Sequence, residues 1–308
     1  MGEEKKNSEE GRGTLDGILG REEDRRDVEE NSIEMDKELD ISNIRVISDL
    51  TPQLPEIGKI KIGTRVVKIV NGKDIKIPKK LDHFVVTTTL RNETDDLIPD
   101  KFVMGKIGDK CVELPIYLLY DDITLNLISY YGWFTQSKLH CIGNGRTGIE
   151  YLESGAVKRV VCDPDRCKSY GEKKCKPHGK LSVILPEANN VGGVYVYRTT
   201  SWNSIKQLLS SMALVKRAAG DLLAGIPLTL KLMKMQVKPK GQDKKRNTWV
   251  AHISFAGTVP ELQDAGFGEM QRRVAMHTNM LEIESEAKKA LAESVNEEEF
   301  VEQVEDKE

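Results

Sequence analysis

Three cysteines and a histidine lie close together in the segment VCDPDRCKSYGEKKCKPHGK, which spans residues 161–180. They are Cys162, Cys167, Cys175 and His178, and their spacing is C-x4-C-x7-C-x2-H. Thiolate sulfur and imidazole nitrogen are the usual ligands of structural zinc, which is four-coordinate and tetrahedral. The pattern therefore predicts a structural zinc site on a knuckle-like loop.

Two residues are candidates for the fourth zinc ligand. His178 is the nearest candidate in the sequence, whereas Cys141, in the segment LHCIGNG, could be brought in by strand pairing to make an all-cysteine site. A catalytic zinc would keep an open coordination position, and no metallohydrolase pattern such as H-E-x-x-H occurs. The alternative to a metal site is a loop with spare cysteines, but exposed free thiols are a liability. We expect structural zinc and no enzymatic activity.

The segment CIGNGRTG matches the pattern G-x-G-x-x-G at Gly143, Gly145 and Gly148. A single match of this kind is weak evidence for a dinucleotide site when no clear strand–helix unit surrounds it. The sequence predicts a tight turn here instead.

The segments around the cysteines predict an α+β fold. Alternating or β-branched residues indicate strands in GKIKIGTRVVKIV, LDHFVVTTTL, VELPIYLLY, SKLHCIGNG, KLSVILPEA, GGVYVYRTT, GIPLTLKLMKMQVKPK and TWVAHISFAG. One amphipathic helix is predicted from an N-cap at Thr200 or Ser201 to Gly220. The segment ITLNLISYYGWF, preceded by Asp121 and Asp122, is predicted as a helix, with a strand as the alternative. Short strands with one crossing helix favour an OB-like, partly open β-barrel that carries the zinc-knuckle loop as an insertion.

Charge divides the chain into three regions. Residues 1–40 contain 7 Lys/Arg and 15 Asp/Glu, and residues 259–308 contain 5 Lys/Arg and 14 Asp/Glu. Residues 41–258 therefore contain 34 Lys/Arg and 20 Asp/Glu, which gives them a net charge of +14. We therefore predict a disordered acidic segment over residues 1–45 and a basic α+β core over residues 46–258, with the zinc loop at 141–180. An acidic helical extension or tail follows over residues 259–308. A basic centre between acidic ends indicates a polyanionic partner.

Seven cations fall on one predicted hairpin, and they are Lys231, Lys234, Lys238, Lys240, Lys244, Lys245 and Arg246. Flexible cations at strand-like intervals suit phosphate contacts. Tyr195 and Tyr197 could add stacking faces for bases. The alternative is a solvated hairpin face with no ligand.

The sequence also indicates the compartment. The start, MGEEKKNSEEGRG, has no apolar h-region, and no run of eighteen apolar residues occurs in the chain. We expect a cytoplasmic protein without a membrane partner. In a reducing compartment, clustered cysteines indicate metal or redox chemistry more often than disulfides.

Several blocks, taken in order, resemble one family. They are GKIKIG, IPKKLDHFVVTT, ELPIYLLYDD, LHCIGNG, CKPHGKLSVILPE, VYVYRTTSWNSI and LAGIPLTLKL. Together they resemble the larger, metal-binding type of phage recombination directionality factor, which partners large serine integrases. The resemblance covers about residues 56–258, and CKPHGKL and RTTSWNSI are its most specific pieces.

The resemblance implies a non-enzymatic accessory protein of DNA recombination. Such a factor binds the integrase, changes which synapse of attachment sites is productive, and favours excision over integration. The partners it implies are a serine integrase, DNA, or both, and self-association is compatible with it. A different class of function, a single-stranded-DNA-binding protein with an OB-like core and an acidic C-terminal tail, is the alternative.

Overall fold

The computed structural model describes residues 54–70, 73–135, 138–237 and 245–293, and these form an α+β fold. In chain order the strands are β1 (Glu56–Val70), β2 (Lys73–Arg91), β3 (Leu97–Pro99), β4 (Glu113–Ile116), β5 (Leu127–Thr135), β6 (Lys138–Gly143), β7 (Thr147–Tyr151), β8 (Val157–Val161), β9 (Cys175–Val183), β10 (Val194–Thr199), β11 (Leu228–Val237) and β12 (Arg246–Ser254). The helices are α1 (Lys101–Ile107), α2 (Ile123–Asn126), α3 (Lys168–Gly171), α4 (Trp202–Ala218), α5 (Val259–Ala275) and α6 (Met280–Glu293). The predicted α+β class is confirmed.

Two sheets contain these strands. The larger sheet has the order β3-β2-β1-β10-β9-β5-β6-β7-β8, and the smaller has the order β12-β11-β4. The β1–β10 pair is parallel, so the larger sheet is mixed. Its strands continue outward from β9 to β8 and do not return to β3, so the described strands close no barrel. The expected OB-like, partly open barrel is not confirmed, and the larger sheet is open.

Helix α4 connects the two sheets. Its buried residues include Leu208 and Met212, both members of the main hydrophobic cluster. The hydroxyl groups of Ser204 and Ser211 accept hydrogen bonds from the backbone N–H groups of Ala251 (3.3 Å) and Ile253 (3.0 Å) in β12. These bonds give partners to two backbone N–H groups of β12, the edge strand of the smaller sheet, which would otherwise be unpaired.

The boundaries of α4 and the buried face of β11 agree with the sequence. Ser201 caps the helix by accepting a hydrogen bond from the N–H of Ser204, and Gly220 follows its end with a φ of 77°. A positive φ favours glycine, which has no Cβ to clash. In β11, alternate residues are buried, and they are Leu228, Leu230 and Leu232. Both predictions are confirmed.

The segment after Asp122 contains both predicted alternatives. Asp122 caps the single turn of α2 by accepting a hydrogen bond from the N–H of Thr124 (2.8 Å). Asn126 is fully buried, and its side chain accepts from the N–H of Tyr120 (3.1 Å) and donates to its C=O (2.6 Å). These bonds end the helix within the core, and the chain continues as β5. The predicted helix is therefore wrong beyond Asn126, where β-branched and aromatic residues favour a strand.

The two C-terminal helices pack against this same corner. Arg273 of α5 forms an ion pair with Asp121, and Glu284 of α6 accepts the N–H groups of Asp121 and Asp122, each at 2.8 Å. Burial alone would raise the pKa of Asp121, but the hydrogen bonds from Arg273 and two backbone N–H groups lower it. The expected helical character of the C-terminal region is seen as far as Glu293. Residues 1–45 and 294–308 lie outside the described residues.

None of the helices in the described part of the chain is long and apolar enough to cross a membrane.

Candidate metal centre

Strand pairing places two cysteines on one face of the larger sheet. Trp133, in β5, is paired with Cys175 of β9 on one side and with Cys141 of β6 on the other. Directly opposite residues of neighbouring strands project from the same face of a sheet. Cys141 and Cys175 therefore lie on the same face, on either side of Trp133.

A glycine turn brings a third cysteine to this face. The N–H of Cys162 donates to the C=O of Arg146 (3.0 Å), which continues the β7–β8 hairpin by one pair. The sulfur of Cys162 lies 2.7 Å from the point that a Cβ of Gly143 would occupy. Gly145 has a φ of 92°, and Gly148 pairs with Gly143. The predicted tight turn is confirmed, and Gly143 also gives Cys162 room, which the sequence did not indicate.

The loop between β8 and β9 carries the fourth cysteine. Cys167 is the N-cap residue of α3, and its N–H donates to the C=O of Asp163 (2.8 Å). Lys173 then adopts a left-handed backbone conformation, with a φ of 60°, before β9 begins. The short helix thus folds the loop back toward the strands from which it departs.

The thiols are close enough to influence one another. Burial, together with the neighbouring Cys167, Cys141 and Cys162, raises the pKa of Cys175 to about 12. Burial likewise raises the pKa of Cys141 to about 11, with Cys162 as the next cause. A metal would therefore have to displace their protons on binding.

The thiols do not stand in a ready-made coordination geometry. Within the described ranges, no group of three or more His, Cys, Asp or Glu side chains is arranged so that it could hold a metal ion. None of the five cysteines of the chain forms a disulfide. The four thiols influence one another's pKa, but this does not require them to surround one ion, because charges act over longer distances than metal–sulfur bonds of ~2.3 Å. The four thiols are therefore neighbours but do not form a coordination site.

His178 lies on the opposite face of the sheet. It pairs with Tyr130, three residues before Trp133 along β5, so the alternation of the strand turns it away from Cys175. Its ring stacks on Tyr130 with centroids 5.4 Å apart and meets the ring of Phe134 edge-on at 5.2 Å. Of the two residues proposed for the fourth position, Cys141 and not His178 shares a face with Cys175.

The region around the cysteines has little apolar core. We call residues 128–180 the cysteine blade. Among its described residues, Phe134 and Leu139 are the only buried hydrophobic side chains, and the other buried residues are glycines. The main hydrophobic cluster contains Leu127 and Leu181 but none of the blade's described residues. The strands of the blade therefore have little hydrophobic stabilisation of their own.

Aromatic side chains connect the blade to α4. The indole N–H of Trp202, the first residue of α4, donates to the hydroxyl of Tyr170 (3.1 Å). The ring of Tyr131 packs against both, with centroids 5.6 Å from Tyr170 and 5.7 Å from Trp202. The cysteine loop is thus attached to the helix that connects the two sheets.

The predicted basic hairpin is formed by β11 and β12. Lys234, Lys245 and Arg246 are exposed, whereas Lys231 is partly buried and pairs with Glu113 (3.1 Å). The other three predicted cations, Lys238, Lys240 and Lys244, lie outside the described residues. Of the described cations, three remain accessible to a polyanion.

The two tyrosines expected to stack on bases lie in the core. Tyr197 is fully buried and meets Phe84 edge-on, with centroids 6.3 Å apart. Tyr195 is also buried, and its hydroxyl donates to Asp100 (2.9 Å). Neither ring can reach a base in the folded protein, so their assignment as nucleic-acid contacts is corrected. Successive residues of β10 are buried on both faces of the sheet. The alternation of polar and apolar residues in a sequence does not show that both faces of a strand are buried.

Comparison with known proteins gives one match. The Gp3-like family, described as recombination directionality factor-like, matches residues 57–263, from β1 into α5. This range includes both sheets, α4 and the whole cysteine blade. Neither a curated protein nor a solved structure gives a significant match.

Proposed function

The chain belongs to the Gp3-like family of recombination directionality factor-like proteins, and from this membership we propose that it is a non-enzymatic accessory factor of phage or mobile-element DNA recombination. The observation that carries the proposal is the extent of the match, because it covers the folded core and not a single motif. The factor acts by binding an integrase, DNA, or both.

The proposed action is a shift between alternative synapses. A ligand moves an equilibrium only by the difference in its affinity for the two states. A nearly complete reversal, from 1:99 to 99:1, requires roughly a 10⁴-fold difference in affinity. A protein with a large, rigid surface can provide this difference through binding alone, so the factor needs no catalytic group of its own.

We further propose that structural zinc is held by Cys141, Cys162, Cys167 and Cys175. The support is the combination of four neighbouring thiols with the thin apolar core of the cysteine blade. When bound, zinc would cross-link β6, β9 and the loop between β8 and β9, and its binding energy would add to folding.

The partner is tested by titrating the fluorescently labelled full chain with four ligands. These are a serine integrase from the same phage or mobile element, that integrase bound to an attachment-site duplex, the duplex alone, and single-stranded DNA of the same length. Saturable binding to the integrase in either state supports the proposal. Binding to none of the integrase samples, with tight and salt-dependent binding to single strands, would favour the single-strand-binding alternative.

A charge-reversed hairpin separates the two modes of action. Lys234→Glu combined with Arg246→Glu changes exposed cations of the hairpin. If the hairpin contacts phosphates, duplex binding weakens and its salt dependence falls, while integrase binding in the absence of DNA is unchanged. Equal loss of both would place the integrase contact on the hairpin as well.

The zinc proposal is tested by elemental analysis of the purified chain and of matched variants. We expect about one zinc per chain, lost in Cys141→Ser and Cys175→Ser but kept in His178→Gln and in Cys111→Ala. Cys111 is a suitable control because it is buried in the main core, where its thiol donates to the C=O of Glu113 (3.2 Å). Wild-type protein without metal would contradict the site. Loss of zinc in His178→Gln but not in Cys141→Ser would contradict the all-cysteine ligand set.

A further inference from the structure

The larger sheet ends at β8, and the outer edge of that strand is open. Within the described part of the chain, no strand pairs with β8 on the side away from β7. The β7–β8 pairing is regular over five consecutive residue pairs, with no bulge and no proline in β8. Natural proteins usually protect such an edge with a bulge, a proline or a covering segment.

The hydrogen bonds at the two ends of the hairpin show which backbone groups face outward. The N–H of Cys162 donates to Arg146, and the N–H of Leu152 donates to Ala156 (2.9 Å). Bonded pairs alternate along an antiparallel ladder, so residues 158 and 160 bond toward β7. Residues 157, 159 and 161 therefore direct their N–H and C=O groups away from the sheet.

The side chains of the edge are accessible and carry one sign of charge. Val157 is 62% exposed and Val161 is 85% exposed, and Lys158 and Arg159 between them are also exposed. The strand contains two cations and no anion. Alternate residues project from opposite faces, so Lys158 and Arg159 place one cation on each face of the edge.

These features distinguish between possible occupants. In an antiparallel pair of two β8 strands centred on Arg159, the two Arg159 side chains would lie directly opposite each other, which is destabilising. Nucleic acid could use the two cations, but it has no ladder of alternating donors and acceptors to match the backbone of the edge. An extended polypeptide has that ladder, and acidic side chains on it would complement both cations.

We infer that the outer edge of β8 is a docking site for an extended acidic segment of a partner protein, which adds to the sheet as a tenth strand. The backbone of residues 157, 159 and 161 supplies the hydrogen bonds, and Lys158 and Arg159 select for acidic side chains. This inference rests on the hairpin geometry and does not depend on the proposed role in recombination.

The experiment uses the full chain and a fluorescein-labelled nine-residue peptide of alternating glutamate and valine, followed by anisotropy. A peptide with lysine in place of glutamate is the charge control. We expect saturable binding of the acidic peptide that weakens with salt, and none of the basic peptide. Failure of the acidic peptide to bind, or equal binding of the two peptides, would overturn the inference.

Two substitutions at one position separate backbone from charge. Arg159→Pro removes an outward N–H and the cation but leaves the bonds to β7, and edge strands tolerate such a proline. Arg159→Gln removes only the cation. We expect roughly tenfold weaker binding or complete loss for Arg159→Pro, and a smaller reduction for Arg159→Gln. Equal affinities of Arg159→Pro and Arg159→Gln would overturn the strand-addition geometry.

Hydrogen exchange of the wild-type chain provides a readout that does not depend on either variant's folding. Peptide binding should slow exchange at the amides of residues 157, 159 and 161, while those of 158 and 160 are already protected by β7. Slowed exchange elsewhere, with no change at these three amides, would overturn the inference. Duplex DNA is the competitor. If it displaces the peptide and shields the side chains of Lys158 and Arg159 from chemical modification, but does not slow exchange of the three outward amides, the edge would be assigned to nucleic acid instead.

Discussion

The two halves of the larger sheet are stabilised in different ways. Around β1, β9 and β10, the sheet contributes to the main hydrophobic cluster residues such as Ile60, Leu181 and Tyr197, which are almost completely buried. In the cysteine blade the same sheet continues, and among the residues that the structure describes there, Phe134 and Leu139 are the only buried hydrophobic side chains. The first region can be held by apolar burial alone, whereas the second needs another source of stability. This difference is why we propose a structural role for the four neighbouring thiols.

Removing apolar volume from the first region should have the largest effect on global stability. Leu208 in α4 is fully buried, and Leu208→Ala should lower the free energy of unfolding by about 2–5 kcal/mol, since the cavity adds to the lost burial. Urea unfolding followed by circular dichroism measures this. Leu214→Ala is the control on the same helix, because Leu214 is 71% exposed and should change stability by less than about 0.5 kcal/mol. Equal effects of the two would contradict the assigned packing of α4.

If the blade holds zinc as proposed, removing the metal should affect the second region and leave the first intact. After chelation, or in Cys175→Ser, hydrogen exchange should accelerate in β6, β7 and β8 while the amides of α4 and β11 keep their protection. Local opening follows because the blade has little core of its own. Cys111→Ala should leave the exchange of the blade unchanged. Faster exchange throughout the chain, or no change anywhere, would contradict the separation of the two regions.

Acid should weaken the corner where the C-terminal helices join the core. Burial alone would raise the pKa of Asp122, but hydrogen bonds from Lys288 (2.7 Å) and Thr124 lower it to about 2 from an ordinary value of 3.8. The stability it contributes is therefore present above pH 3.8 and is lost as the pH falls toward 2. Asp122→Ala should cost about 1 kcal/mol at neutral pH, since it also removes a helix cap, and should flatten this pH dependence. Thermal unfolding between pH 2 and pH 7 measures both. If the variant lost as much stability as the wild-type protein between pH 3.8 and pH 2, Asp122 could not be the source of this pH dependence.

The connection between the blade and α4 should give the smallest effect. Tyr170→Phe removes the acceptor of the Trp202 indole N–H and should cost about 0.5–1.5 kcal/mol or less, since Trp202 is partly exposed. The change should shift tryptophan emission without loss of zinc. Emission identical to that of the wild-type protein would show that this contact is absent in solution.

Local features of the fold could be predicted from the sequence. The cap at Ser201, the stop at Gly220 and the buried face of β11 each depend on residues within one or two turns or strand repeats. The turn at Gly143–Gly148 is likewise local. Such features follow from backbone preference and hydrophobic period, which a single sequence records.

Features that depend on pairing between distant segments could not be predicted in the same way. His178 faces away from Cys175 because β9 already begins at Cys175, whereas the sequence predicts that strand only from Lys180. Whether Cys141 shares the face of Cys175 depends on the register of β5 against β9 and on an irregularity of the β5–β6 pairing after Trp133. A shift of one residue in that register would exchange the two faces. The parallel β1–β10 pair is non-local too, and it places Tyr195 and Tyr197 in the core and not at a surface.

The most direct test of the central claim is a recombination assay in vitro with the serine integrase that is proposed as the partner. Two substrates are compared, one that reports integration and one that reports excision, each with and without the purified full chain. We predict that the wild-type chain promotes excision and suppresses integration, and that Cys175→Ser does so less well although its core remains folded. Product ratios that are the same with and without the wild-type chain would contradict a role as a directionality factor.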